Sequence, residues 1–257
     1  MGGAPPMLDY LYDGTFEGFL TCIYENYYGD RASGIYKKEN YQSSLLNGSR
    51  EVTTDAKRST TVYEAIERKI SRDDLRRIYR AFLSSDPEKE IKLLHYIRLG
   101  FKLGSKIDQL HSDPVVFAVQ QCEYKVSIET HRIKGLARFT ALRNGAAGGE
   151  KEVLYCCIEP DHDILELIAE HFSDRLKCDP FIMHDRTRSK AVFAQGGDWY
   201  ISDFSEKDLP RYGTCEQEYQ DLWKKYFETI AIKERTNPAC QKRFMPVRYW
   251  KNLTELR

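Results

Sequence analysis

The chain has 257 residues, 39 Lys and Arg against 39 Asp and Glu, and 41% apolar side chains. That length holds a sizeable core, and 16 glycines with nine prolines are too few for a disordered or fibrous chain. The longest apolar run, Val153 to Ile158, is six residues against the ~18 that a membrane helix requires, so no membrane partner is expected.

Residues 1–7, with Gly2-Gly3 and Pro5-Pro6, read as an appended or unstructured leader, and 8–257 as a single domain. Leu8 to Tyr12 alternates apolar and polar side chains and predicts an opening strand, turned by Asp13-Gly14. Thr15 then caps a helix whose stripe is Phe16, Phe19, Leu20, Ile23 and Tyr27. Residues 29–60 are polar and weakly patterned, mostly loop, with a short strand near Glu51-Val52-Thr53. Thr61-x-x-Glu64 and Ser71-x-x-Asp74 resemble capping boxes at two helix starts. Asp86-Pro87 and Asp113-Pro114 supply an N-cap followed by proline at the first helical position. The first of these opens a core helix containing His95, expected to be a satisfied core residue; the second opens a long helix ending near Gly135.

Beyond Gly135 the pattern changes. Ala137–Leu142 and Glu152–Ile158 predict a hairpin joined by the Gly-rich segment Asn144–Gly149. Asp161–Phe172 predicts an amphipathic helix, and strands follow at about 180–184, 190–195 and 198–203, the last two joined by Gly196-Gly197. Thr214-x-x-Gln217 caps a further helix, and Asn237-Pro238 begins a short terminal one. Helices and strand pairs occur in separate blocks, so the expected class is α+β. It should be helix-rich, with a small antiparallel sheet of central strands that includes the N-terminal strand.

Seven cysteines cannot all pair, and none forms the close pairs of a structural zinc site. A reducing, cytoplasmic setting fits them, and neither a metal nor a cofactor is expected.

The zero net charge conceals segregation. Residues 150–174 carry eight acids and one base, whereas 224–257 carry nine bases and three acids. Lys125–Arg143 and Arg175–Lys190 are also basic. Converging, these segments would form a surface for phosphate, with Phe244, Tyr249 and Trp250 interleaved for base stacking. Alternatively, the cations pair with the acidic 150–174 and 203–221 segments on solvated faces.

Two clusters bear chemistry. His131, Arg132, Lys134 and Arg138 lie where the long helix breaks into a strand, a place for ligand contacts or for cations that offset a helix dipole. His184, Arg186 and Arg188 surround Asp185 at a strand turn, but adjacent strand residues face opposite ways, which argues against a His184–Asp185 dyad. At the C-terminus, Asn237-Pro238-x-x-Gln241-x-x-Phe244-Met245-Pro246-x-Arg248-Tyr249-Trp250, with Arg243 inside it, is too particular for a solvated tail alone.

These residues, the opening Tyr12-Asp13-Gly14-Thr15-Phe16-Glu17-Gly18-Phe19 and the central His131-Arg132-x-Lys134-Gly135-x-x-Arg138-Phe139 resemble a bacterial family of uncharacterised proteins described as probable DNA metabolism proteins. Its members are typically encoded beside a radical S-adenosylmethionine protein of DNA modification or repair, and some are fused to a uracil-DNA-glycosylase-like domain. The resemblance assigns no reaction and no catalytic residues. It implies a nucleic-acid-binding accessory protein whose partners are DNA and the radical protein. A nucleic-acid-directed hydrolase or glycosylase-like enzyme and a protein scaffold without DNA contact are the alternatives. The residues expected to meet phosphate or nucleic acid are His131, Arg132, Lys134, Arg138, His184, Arg186, Arg188, Arg243, Arg248 and Tyr249.

Overall fold

The computed structural model describes residues 7–43, 47–143, 152–205, 207, 216–230 and 237–256. The chain comprises two compact units, Met1–Val126 and Ser127–Arg257. The class is α+β.

The first unit begins with β1 (Met7–Tyr12), so Met7 belongs to the fold and not to a leader. Thr15 caps α1 (Phe16–Tyr28) by accepting from the Gly18 N–H, which satisfies one of the orphan donors of the first turn. Residues expected to be mostly loop supply β2 (Gly34–Lys37) and β3 (Asn47–Glu51), the latter reaching the short strand expected near Glu51; they flank β1 in the order β2-β1-β3, both parallel to it. The N-terminal strand thus belongs to a parallel sheet of its own, which corrects the expected antiparallel one.

Helices α2 (Ala56–Lys69), α3 (Arg72–Phe82) and α4 (Lys89–Leu103) follow. Asp55, not Thr61, caps α2: its carboxylate accepts from the Lys57 and Arg58 N–H groups, while Thr61 lies inside the helix and donates to the Lys57 carbonyl. Ser71 caps α3 as expected. Asp86 accepts from the Glu88 N–H in a turn before α4, so that helix starts later than Asp86-Pro87 suggested. Leu93, Leu94, Tyr96 and Ile97 bury one side of α4, but His95 lies on its exposed side and is not a core residue. Helix α5 (Pro114–Leu136) begins under the Asp113 carboxylate, which accepts from Val115 and Val116.

The second unit is built on a five-stranded sheet, β4 (Thr140–Arg143), β5 (Glu152–Ile158), β6 (Phe181–Asp185), β7 (Lys190–Gln195) and β8 (Asp198–Asp203), in that order. All neighbours are antiparallel except β5 and β6, whose parallel pairing is made through the crossover helix α6 (Leu165–Arg175). The sheet is therefore mixed. Gly196 and Gly197 turn β7 into β8 at φ 66° and 97°, the left-handed region that a two-residue hairpin requires. α6 packs along β7 and β8 and buries Leu165, Ile168, Ala169 and Phe172, while Phe139 contacts both Phe172 and Phe181 edge-on. The Gly-rich link 144–149 and the Thr214 cap lie outside the described residues. Helix α7 (Glu216–Ile230) and helix α8 (Pro238–Phe244) complete the unit, the latter capped by Asn237 with proline in its first turn. No helix among the described residues is long and apolar enough to cross a membrane.

Candidate functional site

The polar centre of the second unit is a carboxylate that sequence reasoning did not single out. Glu129, on α5, is 2% exposed. Its Oε1 accepts from the Asp161 N–H (3.0 Å), Arg248 Nη2 (2.9 Å) and the Tyr249 hydroxyl (2.5 Å), and its Oε2 from the His162 N–H (2.8 Å). Four donors saturate a carboxylate, which is how a buried charge is made tolerable. Arg248 reaches further to the Asp161 carboxylate and covers the Tyr249 ring at 4.7 Å. Burial opposes the Arg248 charge, but Tyr249, Asp161 and Glu129 outweigh it and raise its pKa. Burial and Glu129 likewise push the Tyr249 hydroxyl up.

Arg188 adjoins this hub. Its guanidinium pairs with Asp185 (2.8 Å) and donates to the Pro160 and Asp161 carbonyls (3.2 and 2.7 Å), so it binds the loop ahead of α6 to the end of β6. Burial raises the Asp185 pKa, and Arg188 with the Thr187 and Arg188 N–H groups only partly offsets it. Arg186 pairs with Glu159 at 3.6 Å, and Lys251 meets the same carboxylate. Arg186, Arg188, Arg248 and Lys251 therefore face Asp185, Glu129, Glu159 and Asp161, four cations against four acids. Glu159 and Asp161 belong to the acidic 150–174 segment of the pairing alternative, whereas Glu129 and Asp185 lie outside the segments it named.

Other expected ligands are also engaged. His184 is buried and its Nδ1 lies 2.9 Å from the Tyr155 hydroxyl, while Asp185 turns to Arg188; the two do not form a dyad. Arg138 pairs with the buried Glu255 carboxylate at 2.7 Å and lies 5.9 Å from the Trp223 ring centroid. Burial opposes the Glu255 charge, but Arg138 and the Trp223 N–H hold its carboxyl below the usual range. Tyr249 is only 3% exposed, so its ring does not offer a face to a base.

A second group stays at the surface. His131 is exposed on α5, and Arg132 beside it donates to the Arg243 carbonyl at 3.3 Å, closing an orphan acceptor of the last turn of α8. Lys242 and Arg243 are exposed there, next to Phe244, which is 67% exposed. Burial, then the charges of Lys134 and Arg175, push the His171 pKa down. Among the described residues, no acidic side chain pairs with Arg132, Lys134, Lys242 or Arg243. The ten expected residues thus separate into a neutralised set, Arg186, Arg188 and Arg248 with acidic partners and Tyr249 on Glu129; two individually tethered ones, Arg138 and His184; and the surface set, without acidic partners among the described residues, His131, Arg132, Lys134 and Arg243.

The hub carries a pH signature. Burial lowers the His162 pKa from the ordinary 6.5, with Glu129 and Asp161 opposing. As pH falls through 6.5 the unfolded chain protonates first, so folded stability is lost on acidification until the folded pKa is reached. His95 and His171, also lowered, act in the same direction. Denaturant melts at pH values either side of 6.5 should show this loss, and His162→Asn should reduce it without abolishing it.

No group of three or more His, Cys, Asp or Glu side chains able to hold a metal occurs among the described residues. Cys22, Cys122, Cys156, Cys157, Cys178 and Cys240 are free thiols, and burial pushes that of Cys156 up to about 12. Neither a curated protein nor a solved structure matches the chain. A family model described as a domain of unknown function, DUF4130, matches residues 87–255, about two thirds of the chain and the whole of the hub and surface set. The chain belongs to that family.

Proposed function

We propose that this protein is a nucleic-acid-binding accessory factor in DNA modification or repair, acting with a radical S-adenosylmethionine partner. The observation that carries the binding reading is the surface set. Arg132, Lys134, Lys242 and Arg243 lack acidic partners among the described residues, and Arg132 meets α8 beside the exposed Phe244. Cations without acidic partners next to an exposed ring are what a phosphate backbone with accessible bases recruits. The partner rests on the resemblance set out above, whose members are encoded beside the radical protein and in some cases fused to a glycosylase-like domain. An enzymatic role for His184 and Asp185 gains no support, because each is held by a different neighbour.

Arg243→Ala tests the reading. It should weaken DNA binding and reduce the slope of log K against log[salt] by about one unit, while leaving sequence preference unchanged. Arg248→Ala should lower the melting temperature instead, since it strips a partner from Glu129. Equal salt slopes for wild type and Arg243→Ala would remove the surface set from the interface.

A further inference from the structure

We infer that the seam between the end of α1 and α4, in the first unit, binds a phosphate monoester, the dianion carried by a nucleoside monophosphate or by the phosphorylated end of a strand. Two neighbours on α1, Asn26 and Tyr27, face two residues of α4 that lie one turn apart. Arg98 donates through Nη2 to Asn26 Oδ1 at 2.5 Å, and the Tyr27 and Phe101 rings meet edge-on with centroids 5.5 Å apart. Lys69, the last residue of α2, brings its Nζ to 5.7 Å from the Phe101 centroid. Tyr27 is 47% exposed and Lys69 is exposed, so this seam lies at the surface.

An amide, not a carboxylate, holds Arg98, so the guanidinium is oriented without being neutralised. Among the described residues, no acidic side chain pairs with Arg98 or Lys69. Burial lowers the Arg98 pKa; the Tyr27 hydroxyl opposes this and the Arg31 charge adds to it. Asn26 itself is 4% exposed, and among the described residues its Nδ2 is the buried side-chain donor left without a hydrogen-bond partner. Turning the amide over gives no relief, because Nδ2 would then meet the guanidinium, donor against donor. A buried donor left open marks a place where an acceptor is missing. A phosphate oxygen is such an acceptor, the free guanidinium N–H groups suit its fork of oxygens, and the Lys69 ammonium supplies a second charge for a dianion. The exposed Tyr27 ring beside them offers an apolar wall to the attached nucleoside.

The test is isothermal titration calorimetry of the full chain with thymidine monophosphate and with thymidine. Wild type should bind the monophosphate and not the nucleoside. Arg98→Ala should weaken that binding roughly 10- to 150-fold, the loss of a charged hydrogen bond. Because Arg98 also holds a buried amide, the exposed Lys69 provides a second variant: Lys69→Ala should weaken binding with the melting temperature unchanged. Oligothymidylates with and without a terminal phosphate identify the source. Tighter binding of the phosphorylated strand, lost in Arg98→Ala, assigns the site to strand ends; equal binding of the two, with the monophosphate still bound, assigns it to a free nucleotide. No binding of the monophosphate, or binding that neither substitution weakens, overturns the site and leaves Arg98 as a cation at the negative end of the α1 dipole. Arg243→Ala should leave monophosphate binding intact, so the site and the nucleic-acid reading fail separately.

Discussion

Glu129→Ala should cost ~3–5 kcal/mol of folding free energy, a large share of the ~5–15 kcal/mol typical of a whole domain. The side chain is 2% exposed and accepts from the Asp161 and His162 N–H groups, Arg248 and Tyr249. Truncation leaves two backbone donors, a hydroxyl and a guanidinium facing a cavity that water does not readily fill with matching geometry. The loop ahead of α6 and the C-terminal segment both hang from this one carboxylate, so they should loosen together. Glu129→Gln should cost less, because it retains an acceptor oxygen but loses the charge that pairs with Arg248. Urea titrations of the three proteins, followed by circular dichroism, check the order wild type, Gln, Ala.

Arg138→Ala should destabilise by ~2–4 kcal/mol, less than the full cost of breaking a buried pair because Arg138 itself is partly exposed. Glu255 has 4% of its side chain exposed and keeps the Trp223 N–H and its own backbone N–H, but no cation, once the guanidinium is gone. The pH dependence gives a second readout. Glu255 has its pKa lowered from 4.5, so it contributes stability that is present above 4.5 and lost as pH falls through the folded value. That acid limb should shrink in Arg138→Ala. A variant that lost DNA affinity and kept its stability would return Arg138 to the role that its place in a basic motif suggested.

The helix starts at Thr15, Ser71, Asp113 and Asn237 were legible because each is a local bond from a side-chain oxygen to an N–H within three residues. Strands β5, β7 and β8 were legible as short apolar runs, the last two also from the glycines of their turn. The parallel sheet was not: β2 (Gly34–Lys37) and β3 (Asn47–Glu51) lack an apolar alternation and are placed only by pairing with β1. Thr61 misled because a capping pattern inside a helix is indistinguishable from one at its start until Asp55 is seen to hold the first turn. At the site, the basic motifs were legible as composition, but which cations are neutralised was not. Glu129 is a single acid in a basic stretch, and its partners Arg248 and Tyr249 lie 119 and 120 residues away. The one available clue was that the C-terminal motif is too specific for a tail, and it marked the partners without marking the carboxylate they serve.

The division of cations into those paired with acids and those without acidic partners is tested most directly by the salt dependence of DNA binding. If Arg132, Lys134, Lys242 and Arg243 each neutralise one phosphate, log K should fall against log[salt] with a slope of about −2.8 for a single strand and about −3.6 for a duplex. Raising salt fourfold then weakens binding by about 50- to 150-fold. Arg243→Ala should lower the slope by about one unit, with its melting temperature unchanged. A slope near zero, or one that the Arg243 substitution does not alter, would contradict the account.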